Sequence, residues 1–145
     1  MMSKQPLFGR ILVPLDFTDK NVAALDVAVR LAVQNQSSVA LLHVIEMVEH
    51  LAVDELKGFY SKLEAEARRR LGFPVSLFLE KGLTVEPEIG YGKRAEEIVN
   101  YAAANQVDLI VLSSHKFDEE RPTQSLATIS HKVAILAQCP VLLVK

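Results

Sequence analysis

A polar segment that follows an apolar run carries the residues best suited to chemistry. Residues 113–133 read SSHKFDEERPTQSLATISHKV, and the run before them is DLIVL. This order predicts a buried strand, a polar loop and then a helix. Such a loop commonly binds an anion in parallel α/β sheets, because a helix N-terminus offers unpaired N–H groups and a positive dipole end. However, the loop has no glycine and carries consecutive acids at residues 118–120, which disfavour an anion.

The same segment suggests two kinds of catalytic or metal site. His115, with Asp16 nearby in the predicted fold, is a candidate base or metal ligand. The chain has no His-x-His or His-x3-His spacing, and its other histidines fall in separate elements. Ser113 and Ser114 lack the G-x-S-x-G sequence that surrounds a hydrolase nucleophile. We therefore expect neither a metal site nor a catalytic site here.

The composition excludes several classes of partner and points to one domain, residues 1–145. Half of the 145 residues are hydrophobic, which suits a single core, and the net charge of −2 gives no field that attracts nucleic acid or an anionic membrane. No apolar stretch approaches the roughly 18 residues that span a bilayer, and the first ten residues have no signal-peptide core. The single cysteine, Cys139, excludes an intramolecular disulfide and suits a buried, inert thiol. We expect a cytoplasmic protein without nucleic-acid or membrane partners.

Alternating apolar runs and amphipathic stretches predict five strands with four helices between them. The predicted strands are Arg10–Leu15, Ser38–Ile45, Thr84–Ile89, Asp108–Ser113 and Pro140–Lys145. The predicted buried faces of the helices are Val22, Leu25, Val29 and Ala32; Leu56, Phe59, Tyr60, Leu63 and Ala67; Ala95, Ile98, Val99 and Ala102; and Leu126, Ile129, Val133 and Leu136. Thr18 or Asp19 caps the first helix, and Gly72 and Pro74 end the second after the exposed residues 68–70.

Strands that alternate with helices imply a parallel α/β sheet covered on both faces, with right-handed crossovers. Pro87 cannot donate to a ladder, so the third strand belongs at a sheet edge. Ligands of open α/β sheets bind beyond the carboxyl ends of the strands. The loops after strands one, two and four are therefore the candidate site. Asp16, in the first of these loops, either accepts a hydrogen bond from a ribose hydroxyl or fixes its own loop.

Four segments together resemble the universal stress protein family over nearly the whole chain. They are ILVPLDFTDKNVAALDVAVRLA, LLHVIE, GKRAEEIVNYAAANQVDLIVLSSH and SHKVAILAQCPVLLVK. The specific feature is the combination of D-x-[ST] after strand one with A-E-E-I-V, D-L-I-V and C-P-V-L-L-V. The resemblance implies a small cytoplasmic homodimer, with one five-stranded parallel sheet of order 3-2-1-4-5 and helices on both faces.

The resemblance also implies that members which bind ATP carry G-x2-G-x9-G-[ST] after strand four. In this chain the glycine positions fall on Ser113, Lys116 and Ala127, and the hydroxyl position falls on Thr128. The interval before Ala127, residues 117–126, is one residue longer than in the motif. Glycine lets a backbone approach a phosphate closely, so side chains at these positions fill ligand space or forbid the turn. We expect no tightly bound ATP, although the Lys116 charge offers some compensation for lost backbone donors.

An ATP- or AMP-binding crevice is the alternative that the resemblance keeps open. By resemblance, Asp16 and Thr18 lie beside the ribose, the backbone of Val44 faces adenine, and Thr128 and Ser130 offer hydroxyls. The complete candidate crevice is Asp16, Thr18, Val44, Ser113, His115, Lys116, Ala127, Thr128 and Ser130.

The expected function is non-enzymatic regulation of a stress response, through a homodimer and an unidentified regulatory protein partner, with no cofactor. The alternatives are an ATP-binding switch and a small-molecule carrier that uses the same crevice. Val141–Val144 form an apolar run at the sheet edge opposite Pro87. An exposed edge of this kind favours pairing with another chain, so we expect two such strands to pair antiparallel across a two-fold axis.

Overall fold

A computed structural model describes residues 5–47, 53–115, 119–121 and 128–145 of the chain. The strands are β1 (Arg10–Pro14), β2 (Ser38–Ile45), β3 (Val85–Tyr91), β4 (Leu109–Ser113) and β5 (Val141–Val144). The helices are α1 (Asn21–Asn35), α2 (Val53–Leu79), α3 (Arg94–Ala104) and α4 (Ile129–Leu136). All strand pairs are parallel, and the sheet order is β3-β2-β1-β4-β5. The predicted fold class and strand order are confirmed.

The sheet separates two apolar layers, because successive side chains of a strand point to opposite faces. Ile11 and Val13 of β1 pack with α1 and α2 on one face, where Phe78 of α2 is fully buried. Leu12 of β1 packs with α3 and α4 on the other face, where Val133 of α4 is fully buried. Both faces are thus covered, as the alternating sequence predicts. Within the described ranges, no helix is long and apolar enough to cross a membrane.

Helix α1 buries a different stripe from the predicted one. Leu25 and Ala32 are buried as expected, but Val22 is 70% exposed, and Ala24 and Ala28 are buried instead. Small side chains let the helix approach the sheet closely, and this close approach matters more here than the size of an apolar residue. The predicted cap is also wrong, since Lys20 precedes the helix and makes no side-chain cap bond.

Helix α2 does not end at Gly72 and Pro74 but continues to Leu79. Leu71 and Phe78 are buried on either side of Pro74, with at most 1% exposure. Burying two such side chains contributes about 4 kcal/mol, against about 3 kcal/mol for a proline inside a helix. Residues 68–70 therefore lie inside the helix rather than at its end. They are exposed there and form ion pairs with Glu64 and Glu66.

Several predicted apolar positions of the helices are only partly covered. Phe59 is 53% exposed, Leu63 is 37% exposed and Leu136 is 50% exposed. Ala95, Ile98 and Ala102 of α3 are buried as predicted, with Val99 packed beside them. The position of Leu126 lies outside the described residues.

The two edge strands present alternate backbone groups to solvent. In β3, the Thr84 carbonyl accepts a hydrogen bond from the Val39 N–H (2.9 Å) and the Gly92 N–H donates to the Ile45 carbonyl (3.1 Å). Even-numbered residues of this segment therefore bond to β2, and odd-numbered ones, Pro87 among them, turn their backbone away from it. Pro87 thus costs the ladder no donor, which confirms the prediction that its strand lies at a sheet edge.

The same parity rule applies to β5. The N–H of Ile110 donates to the Pro140 carbonyl (3.0 Å), and the N–H of Ser114 donates to the Val144 carbonyl (2.8 Å). The backbone of Leu142 therefore also faces β4. It follows that the N–H groups of Val141 and Leu143 point to the open side of the sheet.

Candidate functional site

A cleft of about 230 Å³ opens beyond the carboxyl ends of β1 and β4. The chain turns from β1 into α1 on one face of the sheet, whereas α4 lies on the other face. Such a reversal of winding is where open α/β sheets hold ligands. Leu42, Val44, Ile98, Leu112 and Ile129 give the cleft an apolar lining.

The structure brings together most of the residues that were predicted for the crevice. Those that line the cleft are Asp16, Val44, Ser113, His115, Thr128 and Ser130. Thr18 contacts Asp16 beside the cleft. Lys116 and Ala127 lie outside the described residues. The sequence did not single out Lys20, Asn21 or Arg94, which also line the cleft.

Asp16 fixes the loop in which it lies. Its Oδ1 accepts hydrogen bonds from the Thr18 N–H (3.0 Å) and from the Thr18 hydroxyl (2.7 Å). Partial removal from water raises the pKa of Asp16, but these hydrogen bonds and the positive charge of Arg94 outweigh that effect and hold the pKa below its usual 3.8. Of the two roles that the sequence left open, the structure shows the loop-fixing one. The carboxylate is thereby held, ionised, at the mouth of the cleft.

Asn21 links the loop after β1 to the end of β4, and the sequence analysis did not predict this role. It is buried, with 6% exposure, and its Oδ1 accepts hydrogen bonds from the N–H groups of Asp16 (3.0 Å) and Phe17 (2.8 Å). Its Nδ2 donates to the Ser113 hydroxyl (2.9 Å). The available indication was an asparagine at the start of a helix, a common position for hydrogen bonds to backbone N–H groups.

Phe17 is strained, and its neighbours hold it in place. Its φ of 64° lies in the left-handed region, which is unfavourable for a bulky residue. The ring stacks on His43, with the centroids 4.3 Å apart, and the guanidinium of Arg70 lies 5.7 Å from its centroid. The Nδ1 of His43 bonds to the Leu15 carbonyl at 2.8 Å. The loop after β1 therefore has a defined shape.

Ser113 occupies the first of the predicted glycine positions, and its hydroxyl both accepts and donates a hydrogen bond. The hydroxyl accepts from Asn21 and donates to the Lys20 carbonyl (3.3 Å). The side chain thus fills the junction between the end of β4 and the start of α1. A glycine would leave this space open to a ligand.

A row of hydroxyls lies at the N-terminus of α4. The Ser114 and Ser130 hydroxyls are both buried and 3.1 Å apart, and Ser130 is also 3.1 Å from the Thr128 hydroxyl. Thr128 caps the helix by accepting from the His131 N–H (3.4 Å), and its hydroxyl bonds to the ring Nδ1 of His131 (2.7 Å). Each hydroxyl can rotate its hydrogen, so the row can donate to an anion in the cleft.

The two histidine rings beside this row do not form a metal cluster. His115 and His131 meet edge to face, with centroids 6.4 Å apart. In the part of the chain that the structure describes, no group of three or more His, Cys, Asp and Glu residues could hold a metal ion. Burial raises the pKa of the partly buried Cys139 thiol, in line with the expectation of an inert thiol.

In the described part of the chain, the charged side chains that line the cleft are not those of the acidic loop, residues 118–120, which the sequence analysis expected to disfavour an anion. Among the described residues, Lys20 and Arg94 line the cleft together with one carboxylate, Asp16. Of the consecutive acids at 118–120, Glu119 and Glu120 are exposed and do not line the cleft, while Asp118 lies outside the described residues. An apolar lining with hydroxyls and two cations is suited to a ligand that has a flat apolar part and an anionic part.

This fold and this cleft define an α/β protein of the universal stress protein class. The chain belongs to the universal stress protein family, whose model matches residues 7–145. It is 31% identical to the universal stress protein YxiE of Bacillus subtilis over 96% of this chain and all of that one. Among solved structures it is similar to the hypothetical protein MJ0577, with 29% identity, a TM-score of 0.83 and 96% of both chains covered. It also shares its fold with a universal stress protein from Archaeoglobus fulgidus in complex with dAMP, with 18% identity, a TM-score of 0.69 and coverage of 96% and 99%.

Proposed function

We propose that this protein is a non-enzymatic, cytoplasmic regulator of a stress response that acts as a homodimer and does not bind ATP tightly. The homodimer acts by binding an unidentified regulatory protein. The observation that carries the proposal is the closed junction at Ser113, whose hydroxyl binds Asn21 and the Lys20 carbonyl at the first glycine position of the ATP motif. A triphosphate would have to displace these bonds, and it would meet side chains where the motif has glycine.

The cleft itself suits a smaller and less charged nucleotide. The lining beside Val44 and Ile98 offers apolar surface to a base, Asp16 lies at the mouth, and the hydroxyl row of Ser114, Thr128 and Ser130 can donate to an anion. The Archaeoglobus fulgidus relative is in complex with dAMP, a nucleotide of this size. A switch that responds to an AMP-type nucleotide is therefore the second candidate function.

The proposal of a homodimer rests on the open edge of β5. The N–H groups of Val141 and Leu143 point away from β4, and the Leu142 side chain is 39% exposed. An apolar edge with unpaired donors is stabilised by a second strand. Two copies related by a two-fold axis would pair these edges antiparallel and form one continuous sheet.

Calorimetric titration with ATP tests the function proposed first. We expect no resolved heat at micromolar ATP, and a melting temperature that changes by less than about one degree at about 1 mM ATP. A dissociation constant below about 10 μM, near −7 kcal/mol, would overturn the proposal. At about 1 mM ligand it would stabilise the protein by about 2.7 kcal/mol, which raises the melting temperature by several degrees.

The site has its own test if ATP does bind. Asp16→Ala and Thr128→Ala should each weaken the binding, because both side chains line the cleft. Gln34→Ala, an exposed position of α1, is the matched control and should leave it unchanged. Equal affinities in all three variants would show that the nucleotide binds elsewhere.

A further inference from the structure

Arg94 lies where the cleft meets a second cavity. It is the first residue of α3, and it lines the cleft at β1 and β4 as well as a neighbouring groove of about 370 Å³. The groove runs between the end of β2, the start of α3 and one side of α4, where Glu46, Lys93 and Lys132 line it. The cleft and the groove also share Ile129, so the two cavities adjoin at these two residues.

The lining of the groove is suited to an anion. Three cations, Lys93, Arg94 and Lys132, face two carboxylates, Glu46 and Glu96. Cations that converge on a concave surface raise the local concentration of anions there. The cleft adds Lys20 against Asp16, so among the described lining residues positive charge exceeds negative charge in both cavities when histidine is neutral.

The guanidinium of Arg94 is loosely engaged. The nearest carboxylate oxygen in the described part of the chain belongs to Glu46, at 3.8 Å, and this pair is partly open to water, with the side chains 37% and 57% exposed. An ion pair of this length and exposure contributes little to stability, because water screens both charges. A guanidinium presents a planar fork of donors that matches the oxygens of a phosphate, so a phosphate would be a better partner than Glu46.

We propose that Arg94 is the residue that recognises the phosphate of a nucleoside monophosphate, with the base in the cleft and the phosphate at the junction with the groove. This inference rests on the nucleotide cleft proposed above and adds the group that selects its ligand. The phosphate would lie on the α3 side of the cleft, so that Arg94, rather than the hydroxyl row at the N-terminus of α4, would be its main partner. Glu46 releases Arg94 when the phosphate arrives, and Lys93 and Lys132 add long-range attraction.

The test compares AMP, adenosine and inorganic phosphate by calorimetric titration of the full chain. In the wild type, AMP should bind at least about tenfold more tightly than adenosine, because hydrogen bonds to charged groups are the strong ones. Arg94→Met should remove most of this difference, because adenosine has no phosphate for the guanidinium to bind. Arg94→Lys should give an intermediate loss, because it keeps the charge without the planar fork. Arg30→Met, an exposed position of α1 outside the cavities, is the matched control and should behave as the wild type.

Each outcome supports or overturns the inference. Equal affinities of AMP and adenosine in the wild type, or no effect of Arg94→Met on AMP, would overturn it while leaving the cleft as a nucleoside site. Binding of inorganic phosphate as tightly as AMP would also overturn it, because the base would then play no part. No binding of AMP or adenosine would overturn both the inference and the nucleotide cleft.

Discussion

Leu143→Pro is the sharpest test of the proposed β5 interface, because the structure shows which backbone N–H groups of this strand face outward. The Leu143 N–H points to the open edge, whereas the Leu142 backbone faces β4. A proline at 143 therefore removes an outward donor and leaves the bonds between β4 and β5 in place. A proline at 142 removes a bond inside the chain instead. Leu143→Pro should therefore weaken assembly, whereas Leu142→Pro should lower the stability of each protomer.

The expected magnitude follows from symmetry. Each protomer of a two-fold dimer loses one interchain hydrogen bond, so the substitution counts twice. At about 1 kcal/mol for each bond, the dimer is weakened by about 2 kcal/mol, or about 30-fold in its dissociation constant. Leu142→Pro should instead lower the free energy of unfolding of each protomer by about 1–3 kcal/mol, because the Ile110 carbonyl on β4 loses its donor.

Light scattering and sedimentation over a dilution series measure this effect. The wild type should have about twice the chain mass at micromolar concentration, and Leu143→Pro should dissociate at a concentration about 30-fold higher than the wild type does. Leu143→Ala is the matched control, because it loses the same partly buried side chain and keeps the N–H. A monomeric wild type, or equal dissociation of the alanine and proline variants, would refute the reasoning.

Two further predictions concern the cleft. Asn21→Ala should lower the free energy of unfolding by about 2–3 kcal/mol, because the N–H groups of Asp16 and Phe17 lose their acceptor. Urea denaturation measures this loss. The control, Gln34→Ala at an exposed position, should change the free energy of unfolding by less than about 0.5 kcal/mol. A loss no larger than that of the control would show that Asn21 does not hold the loop. The lowered pKa of Asp16 makes a contribution to stability that is complete above its unfolded value of 3.8 and is lost as the pH falls through the lower folded value. Thermal denaturation of the wild type and Asp16→Asn should therefore differ most above the usual pKa of 3.8 and converge as the pH falls through the lower folded value, and a constant difference would contradict this origin.

The sequence predicted the parts of the fold that depend on repeated patterns. The strands are short apolar runs between amphipathic stretches, and a pattern of that length is informative even when single positions mislead. β2 has the predicted ends, and Pro87 lies on an edge strand. The end of α2 was wrong because a local breaker, Pro74, competes with the burial of Phe78, which depends on the other layer of the fold. That contact is invisible in a local window of sequence.

The site was predicted only where a single residue has a fixed place in the topology. Asp16 follows the first strand, so its position at the cleft could be inferred from the order of the elements. Asn21 and Arg94 could not be inferred in this way, because each acts through residues far along the chain. Asn21 reaches Ser113 on β4, and Arg94 comes near Asp16 and Glu46 from the start of α3. Such roles require the three-dimensional arrangement.

Pro87 limits how far this sheet can grow. Its backbone nitrogen, which has no hydrogen, faces the open side of β3. A strand that approaches from this side finds one donor missing. The other side, at β5, has outward N–H groups on two apolar residues. The proposed pairing at β5 would therefore end with two copies, because the β3 edges left at its two ends are poor templates for a further strand.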